Sequence, residues 1–183
     1  MSDPLYKQMT AFLLEIGISD QAHTGKTYIG HLLAVHRLME EQGCGLDACR
    51  AGFFHSVYGT EVFQGFKLPL DRRAAVRGVI GERAERLAYL NCAMDRVSFD
   101  DSLERSTPPY RLRDRLSGEE VLLDEEDFAD LCRIHLYDWL EQVPRSSRGY
   151  GYRRPAYRRM AERLGAGALA AYDKVFANEP VSR

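Results

Sequence analysis

What this chain lacks narrows its class. It has no C-x-x-C pair, and Cys44, Cys49, Cys92 and Cys132 are spaced too irregularly for a zinc finger. No apolar run approaches the ~20 residues needed to cross a bilayer. The opening MSDPLYKQMT has neither the basic start nor the apolar core of an export signal. These absences predict a cytoplasmic protein with reduced thiols and no membrane association. A large excess of either charge is also missing. A net charge of -2 and a pI near 6.2 give no general attraction to nucleic acid or anionic membrane. No internal repeat and no linker divides the 183 residues, a length that suits one domain with a buried core.

Apolar spacing along the chain is mostly helical. Leu5, Met9, Phe12, Leu13 and Ile16 form one face of a first helix, capped by Ser2 or Asp3 with Pro4 in its first turn. After the polar connection SDQAHTGK, a second helix is expected over about 27–42, with Tyr28, Leu32, Val35, Leu38 and Met39 inward. A third starts near Leu46 or Asp47 and is apolar around most of its circumference from Ala51 to Val57, which predicts burial on nearly all sides. It is expected to carry His55 and to break at Gly59. FQGFKLPL reads as a loop over the site. Asp71 is expected to cap a further helix bearing Arg72, Arg73 and Arg77, interrupted at Gly81 and resuming over 82–94. YRLRDRL then alternates apolar and charged residues, turns at Ser117-Gly118 and is followed by EEVLL, a hairpin pattern within 110–123. Asp124 or Asp127 caps a strong helix that Pro144 stops, and two short helices at about 155–164 and 166–177 end the chain. The expected fold is a mostly α, single-domain helical bundle with one small hairpin.

Three residues stand out within that plan. His31 lies beside the inward stripe of the second helix. His55 sits in the apolar third helix, where it reads either as a hydrogen-bonded core histidine or as a site residue. Asp138 follows Leu131 and Ile134 at i+7 and i+4, which turns it inward. Together they make a candidate metal or anion site. His36 is about 140° round the helix from His31 and is not expected to share it. His135 shares a face with Asp138, beside the single tryptophan, Trp139. The segment RSSRGYGYRRPAYRR, 145–159, holds six arginines and three tyrosines. Such interleaving suits single-stranded nucleic acid, but the acidity of the remaining chain argues against it. An exposed connection, or an arginine clamp on a phosphate or carboxylate, remains.

The order of these motifs resembles the HD-domain superfamily, and most of all the hydrolase half of the stringent-response (p)ppGpp synthetase/hydrolases. GKTYIGHLLAVH is similar to that family's first histidine segment and puts His31 at the first ligand position. AGFFHSVYGT is similar to its A-x-x-L-H-D box and puts His55 at the second. IGERAERLAYL matches a later helical segment, and HLYDWLEQ puts Asp138 at the last ligand. The resemblance covers roughly residues 20–143. It implies an HD-like core of about 20–143 with a helical extension over 145–177. Two departures stand out. Ser56 replaces the aspartate of the His-Asp doublet, and the Glu-Asp pair that supports attack by water in the hydrolases falls on Gly59 and Thr60. The H-S-x-Y-G-T-E box also looks like that of an uncharacterised bacterial family of small HD-like proteins.

Under the resemblance, His31, His55 and Asp138 would hold one divalent ion (Mn, Fe or Zn), because Ser56 cannot bridge two. Glu61, the nearest acid, is the candidate general base, with Tyr58 as a further catalytic candidate. Ser56, Thr60 and His135 are candidate substrate-binding groups, and Lys26, Arg72 or Arg77 candidate anion holders. The expected ligand is a small, anionic molecule. Three functions remain open: a mononuclear metal-dependent hydrolase of a phosphate ester or nucleotide; a metal-free ligand-binding or regulatory module; and a non-haem iron oxygenase, since two histidines and a carboxylate also suit Fe(II).

Overall fold

The computed structural model describes residues 3–18, 22–23 and 26–180; the side chains of residues 22, 23 and 26 lie outside that description. Ser2, one of the two expected caps, is also outside it. Nine α-helices are present among the described residues: α1 (Tyr6–Glu15), α2 (Tyr28–Glu41), α3 (Leu46–Phe53), α4 (Arg73–Ile80), α5 (Glu82–Ala93), α6 (Arg96–Leu103), α7 (Glu125–Gln142), α8 (Arg154–Leu164) and α9 (Ala166–Phe176). The expected hairpin is there, formed by β3 (Tyr110–Arg113) and β4 (Glu120–Leu123). Two two-residue strands, β1 (Ala22–His23) and β2 (Lys26–Thr27), pair within what reads in the sequence as a plain polar connection.

Local chemistry sets the helix ends. Thr27 Oγ1 accepts the Gly30 N–H and starts α2. Asp124 accepts the Asp127 N–H at the start of α7, whose first turn carries Glu125, Glu126 and Asp127. Asp71 does not cap α4. It lies inside a 3-10 turn (Leu70–Arg72) that leads into the helix without a side-chain cap. α6 has no counterpart in the apolar pattern. Its sequence signal was the cap alone: Asp95 accepts the Ser98 N–H at 2.9 Å. Gly81 separates α4 from α5 with φ +94°, a conformation that side chains rarely adopt.

α3 is the hub, packing against α2, α5 and α7. Phe53 and Phe54 are fully buried, as are Tyr28, Leu32, Val35 and Met39 of α2. Gly52 permits the close α2–α3 approach, because a Cβ there would lie 2.3 Å from Met39 Sδ. In the hairpin, Tyr110 pairs with Leu123 and Arg113 with Glu120. Its alternation places Tyr110 and Leu112 inward, with Tyr110 stacked on Phe128 of α7 at 4.2 Å.

The segment 145–159 differs from the simple exposed connection. After a 3-10 turn (Val143–Arg145), Tyr150 packs edge-on against Phe176, and buried Tyr157 stacks on Trp139. The tyrosines anchor this segment to the bundle, because buried aromatic area outweighs the polarity of the intervening residues. No helix among the described residues is long and apolar enough to cross a membrane.

His36 is buried between Tyr6 and Phe53, where burial holds its imidazole below the usual range although Glu40 and Asp3 pull it up. Arg37 and Arg50 act in the same direction as burial. The unfolded chain therefore binds this proton more readily, and folding stability falls as pH drops below about 6.5. Urea unfolding at pH 7 and pH 5 is expected to show that loss. His36→Phe is expected to show a smaller loss, and an unchanged pH dependence in that variant would contradict the assignment.

Candidate metal centre and cleft

His31 comes from the first turn of α2 and is fully buried. His55 does not sit on a helix. α3 ends at Phe53, and residues 54–58 form tight turns in which Val57 N bonds to Phe54 O and Gly59 N to Ser56 O. The side chain itself competes for the helix's last carbonyls: His55 Nδ1 lies 2.8 Å from Gly52 O. The His55 carbonyl is in turn taken by Asn91 Nδ2 at 2.7 Å and Cys92 Sγ at 3.1 Å, both on α5. Arg115 holds the same loop by donating to the carbonyls of Gly59 and Cys92. An apolar stretch looks helical in sequence, but these tertiary bonds unwind its end.

Asp138 joins the two histidines from α7, with 15% of its side chain exposed. Its Oδ1 lies 3.1 Å from His31 Nε2 and 3.3 Å from His55 Nε2, and the two Nε2 atoms are 3.4 Å apart. Two atoms about 2.1 Å from one ion and subtending ~90–110° lie roughly 3.0–3.4 Å apart, so the donor set fits a single ion. Both rings are oriented from behind. His31 Nδ1 meets Glu141 Oε2 at 2.6 Å, and His55 Nδ1 meets the Gly52 carbonyl. Each Nδ1 proton is thereby committed, which turns both Nε2 lone pairs toward Asp138. Gln142 Nε2 donates to Asp138 Oδ1 at 2.9 Å. Burial lowers the His31 pKa, but Asp138 and Glu141 more than offset that and raise it to about 9. Burial likewise opposes ionisation of Asp138, yet the two imidazoles hold it well below the usual carboxylate range. A buried cluster arranged this way favours a positive charge at its centre.

The cluster opens into a cleft of about 520 Å³. Its lining includes His55, Ser56, Thr60, Phe63 and Asp138 together with Arg96, Arg145, Ser146, Ser147, Arg148 and Tyr152. Ser56 is 3.0 Å from the Tyr28 hydroxyl, and Tyr28 packs on Phe63 and Phe66. Thr60 Oγ1 accepts the Phe63 N–H, which shapes the loop over the cluster.

The remaining expected site residues lie elsewhere. Tyr58 donates to buried Glu85, which also takes a two-pronged bond from Arg73, and Tyr58 does not line the cleft. Glu61 is exposed and accepts the Arg96 N–H at 2.9 Å, securing the start of α6. Arg77 faces Glu82 and Glu85 in a separate groove, and exposed Arg72 lines neither that groove nor the cleft. His135 is buried behind the cleft, bonded to Arg153 Nη1 at 2.7 Å and stacked on Tyr157. The Lys26 side chain lies outside the described residues.

Sequence reasoning missed Glu141, Gln142 and Arg96, and it marked Arg145, Arg148 and Tyr152 only as part of a segment that could be an exposed connection or an arginine clamp. Glu141 and Gln142 were within reach of it, because they follow Asp138 at i+3 and i+4 on the same helix face. Arg96 carried no such signal.

A family model described as a domain of unknown function (DUF6817) matches residues 12–96. No curated protein matches the chain, and no solved structure does. The matched part contains both histidines and Ser56, and ends at Arg96. Asp138, Glu141 and the 145–152 wall of the cleft lie beyond it.

Tyr58→Phe is expected to destabilise the protein by about 1–2 kcal/mol, because buried Glu85 loses one donor. Urea unfolding measures it; a shift below a few tenths would mean that the bond contributes nothing.

Proposed function

We propose that this protein is an HD-like, mononuclear metal-dependent hydrolase of a phosphate ester or nucleotide. One observation carries the reading. Two imidazoles with committed Nδ1 protons and one carboxylate oxygen converge within 3.1–3.4 Å at the inner end of a cleft edged by arginines. They come in turn from α2, the turn after α3, and α7, an order that supports the HD-like reading.

His31, His55 and Asp138 would hold the ion. Glu141 and the Gly52 carbonyl keep the imidazoles in the ligating tautomer, and Gln142 keeps the aspartate turned to them. When bound, a divalent ion there supplies Lewis-acid polarisation of a phosphoryl oxygen and lowers the pKa of water. Ser56 is neutral and already engaged with Tyr28, so the site offers no bridging carboxylate for a second ion. Arg96, Arg145 and Arg148 supply the positive charge that a phosphate requires. Phe63, Trp139 and Tyr157 add aromatic surface to the lining of the cleft. Neither Glu61 nor Tyr58 reaches it, so the proposal gives them no catalytic role.

Protein purified without a histidine tag is expected to carry about one divalent ion per chain by elemental analysis. His55→Ala and Asp138→Asn are expected to lose it, and Glu141→Gln to weaken affinity by about 10–100-fold. Metal-free protein with undiminished phosphatase turnover would overturn the hydrolase reading. Absence of metal from both native and reconstituted protein would favour a ligand-binding module instead.

The donor set itself favours a second reading. Two histidines and one carboxylate on one face, with open positions, is the arrangement of non-haem Fe(II) oxygenases. Oxygen consumption on adding Fe(II), without phosphate release from ester substrates, would select it.

A further inference from the structure

We propose that Arg96, Arg148 and Tyr152 form a second anion subsite in the cleft, selecting ligands that carry a phosphate additional to the group at the histidine–aspartate cluster. The proposal rests on the reading that the cluster is the reactive end, but its geometry is independent of any metal.

Pairing separates these arginines from their neighbours. Arg153, Arg154, Arg158, Arg159 and Arg163 each face a carboxylate: Asp100, Glu179, Glu162, Glu104 and Glu125 in turn. Arg96 and Arg148 line the cleft and have no ion-pair partner among the described residues. Arg96 Nη1 donates to the Tyr152 hydroxyl at 2.7 Å, and the Arg148 guanidinium lies over the Tyr152 ring at 4.8 Å. Tyr152 therefore fixes two cations side by side. Its oxygen is already an acceptor, so its own proton is available to a ligand oxygen. Asp138 is the one carboxylate among the lining residues, and it is committed to the two histidines and Gln142. The cleft lining thus carries uncompensated positive charge at Arg96 and Arg148.

An arginine of the lining also connects to the cluster. Arg145 pairs with Glu141 Oε2, the same oxygen that holds His31 Nδ1. An anion drawn to Arg145 therefore competes with Glu141, the group that orients a cluster imidazole. Arg148 and Tyr152 lie outside residues 12–96, so ligand selection would reside mainly in the part of the chain that the family model does not cover.

The test is calorimetric titration of the full chain with inorganic pyrophosphate in chelator-containing buffer. Wild type is expected to bind, with affinity falling as salt rises. Arg96→Gln and Arg148→Gln are each expected to weaken binding about tenfold or more, and Tyr152→Phe to weaken it less, since the ring under Arg148 remains. Exposed Arg148 can be replaced without unfolding the chain, which a melting curve checks. The Arg148→Gln loss should persist in a His55→Ala background. Absent binding in wild type, or binding as tight as wild type in both arginine variants, overturns the subsite. Arginine-dependent binding in a chain that takes up no metal supports the subsite and removes only the hydrolase reading.

Discussion

Two imidazoles held by their Nδ1 atoms are the constraint on which the site depends. Glu141 fixes the ring of His31 and the Gly52 carbonyl fixes that of His55, so neither Nε2 can turn away from Asp138. Three electron-rich atoms held within 3.4 Å of one another would repel without a positive charge among them. In the metal-free protein a proton on His31 meets that need, which is why its pKa rises to about 9 against burial. A divalent ion would meet it more completely and displace that proton.

The helical bundle makes this arrangement rigid. Gly52 serves twice: its missing side chain lets α3 close on Met39 of α2, and its carbonyl anchors His55. The turn that carries His55 is then tied to α5 through Asn91 and Cys92 and to the hairpin turn through Arg115. Packing and site geometry therefore share residues. A change that loosens the α2–α3 contact moves both donor histidines, since one lies on each side of it.

Ser56 and the arginine wall decide what the cleft can accept. Where the resemblance to HD hydrolases would place an aspartate, a small hydroxyl meets Tyr28 in a neutral, buried pair. That limits the local negative charge to Asp138 and Glu141. Positive charge comes instead from Arg96, Arg145 and Arg148, contributed by the start of α6 and the segment after α7. The tyrosines of that segment, which suggested nucleic acid in isolation, serve here to pin it to Trp139 and Phe176.

The sequence by itself determined the helical class, most helix positions, the hairpin and the inward facing of His31 and Asp138. Each of these follows from local periodicity and capping, which act over a few residues. It also pointed to His55, but as a helical residue. Only the tertiary structure decided that α3 stops at Phe53, because the bonds that unwind its end come from α5, 36 or 37 residues away. Only it separated Glu61, Tyr58, Arg72 and Arg77 from the cleft. Tyr58 is drawn aside by Glu85, and the positions of the other three past Gly59 carried no information about direction once that residue had turned the backbone. The part of Arg96 in the cleft was equally hidden: α6 had only a cap to mark it, and Arg96 meets Tyr152 across 56 residues. Local patterns report which face of an element is apolar. Convergence of polar groups from distant elements depends on how those faces pack, and no local pattern records it.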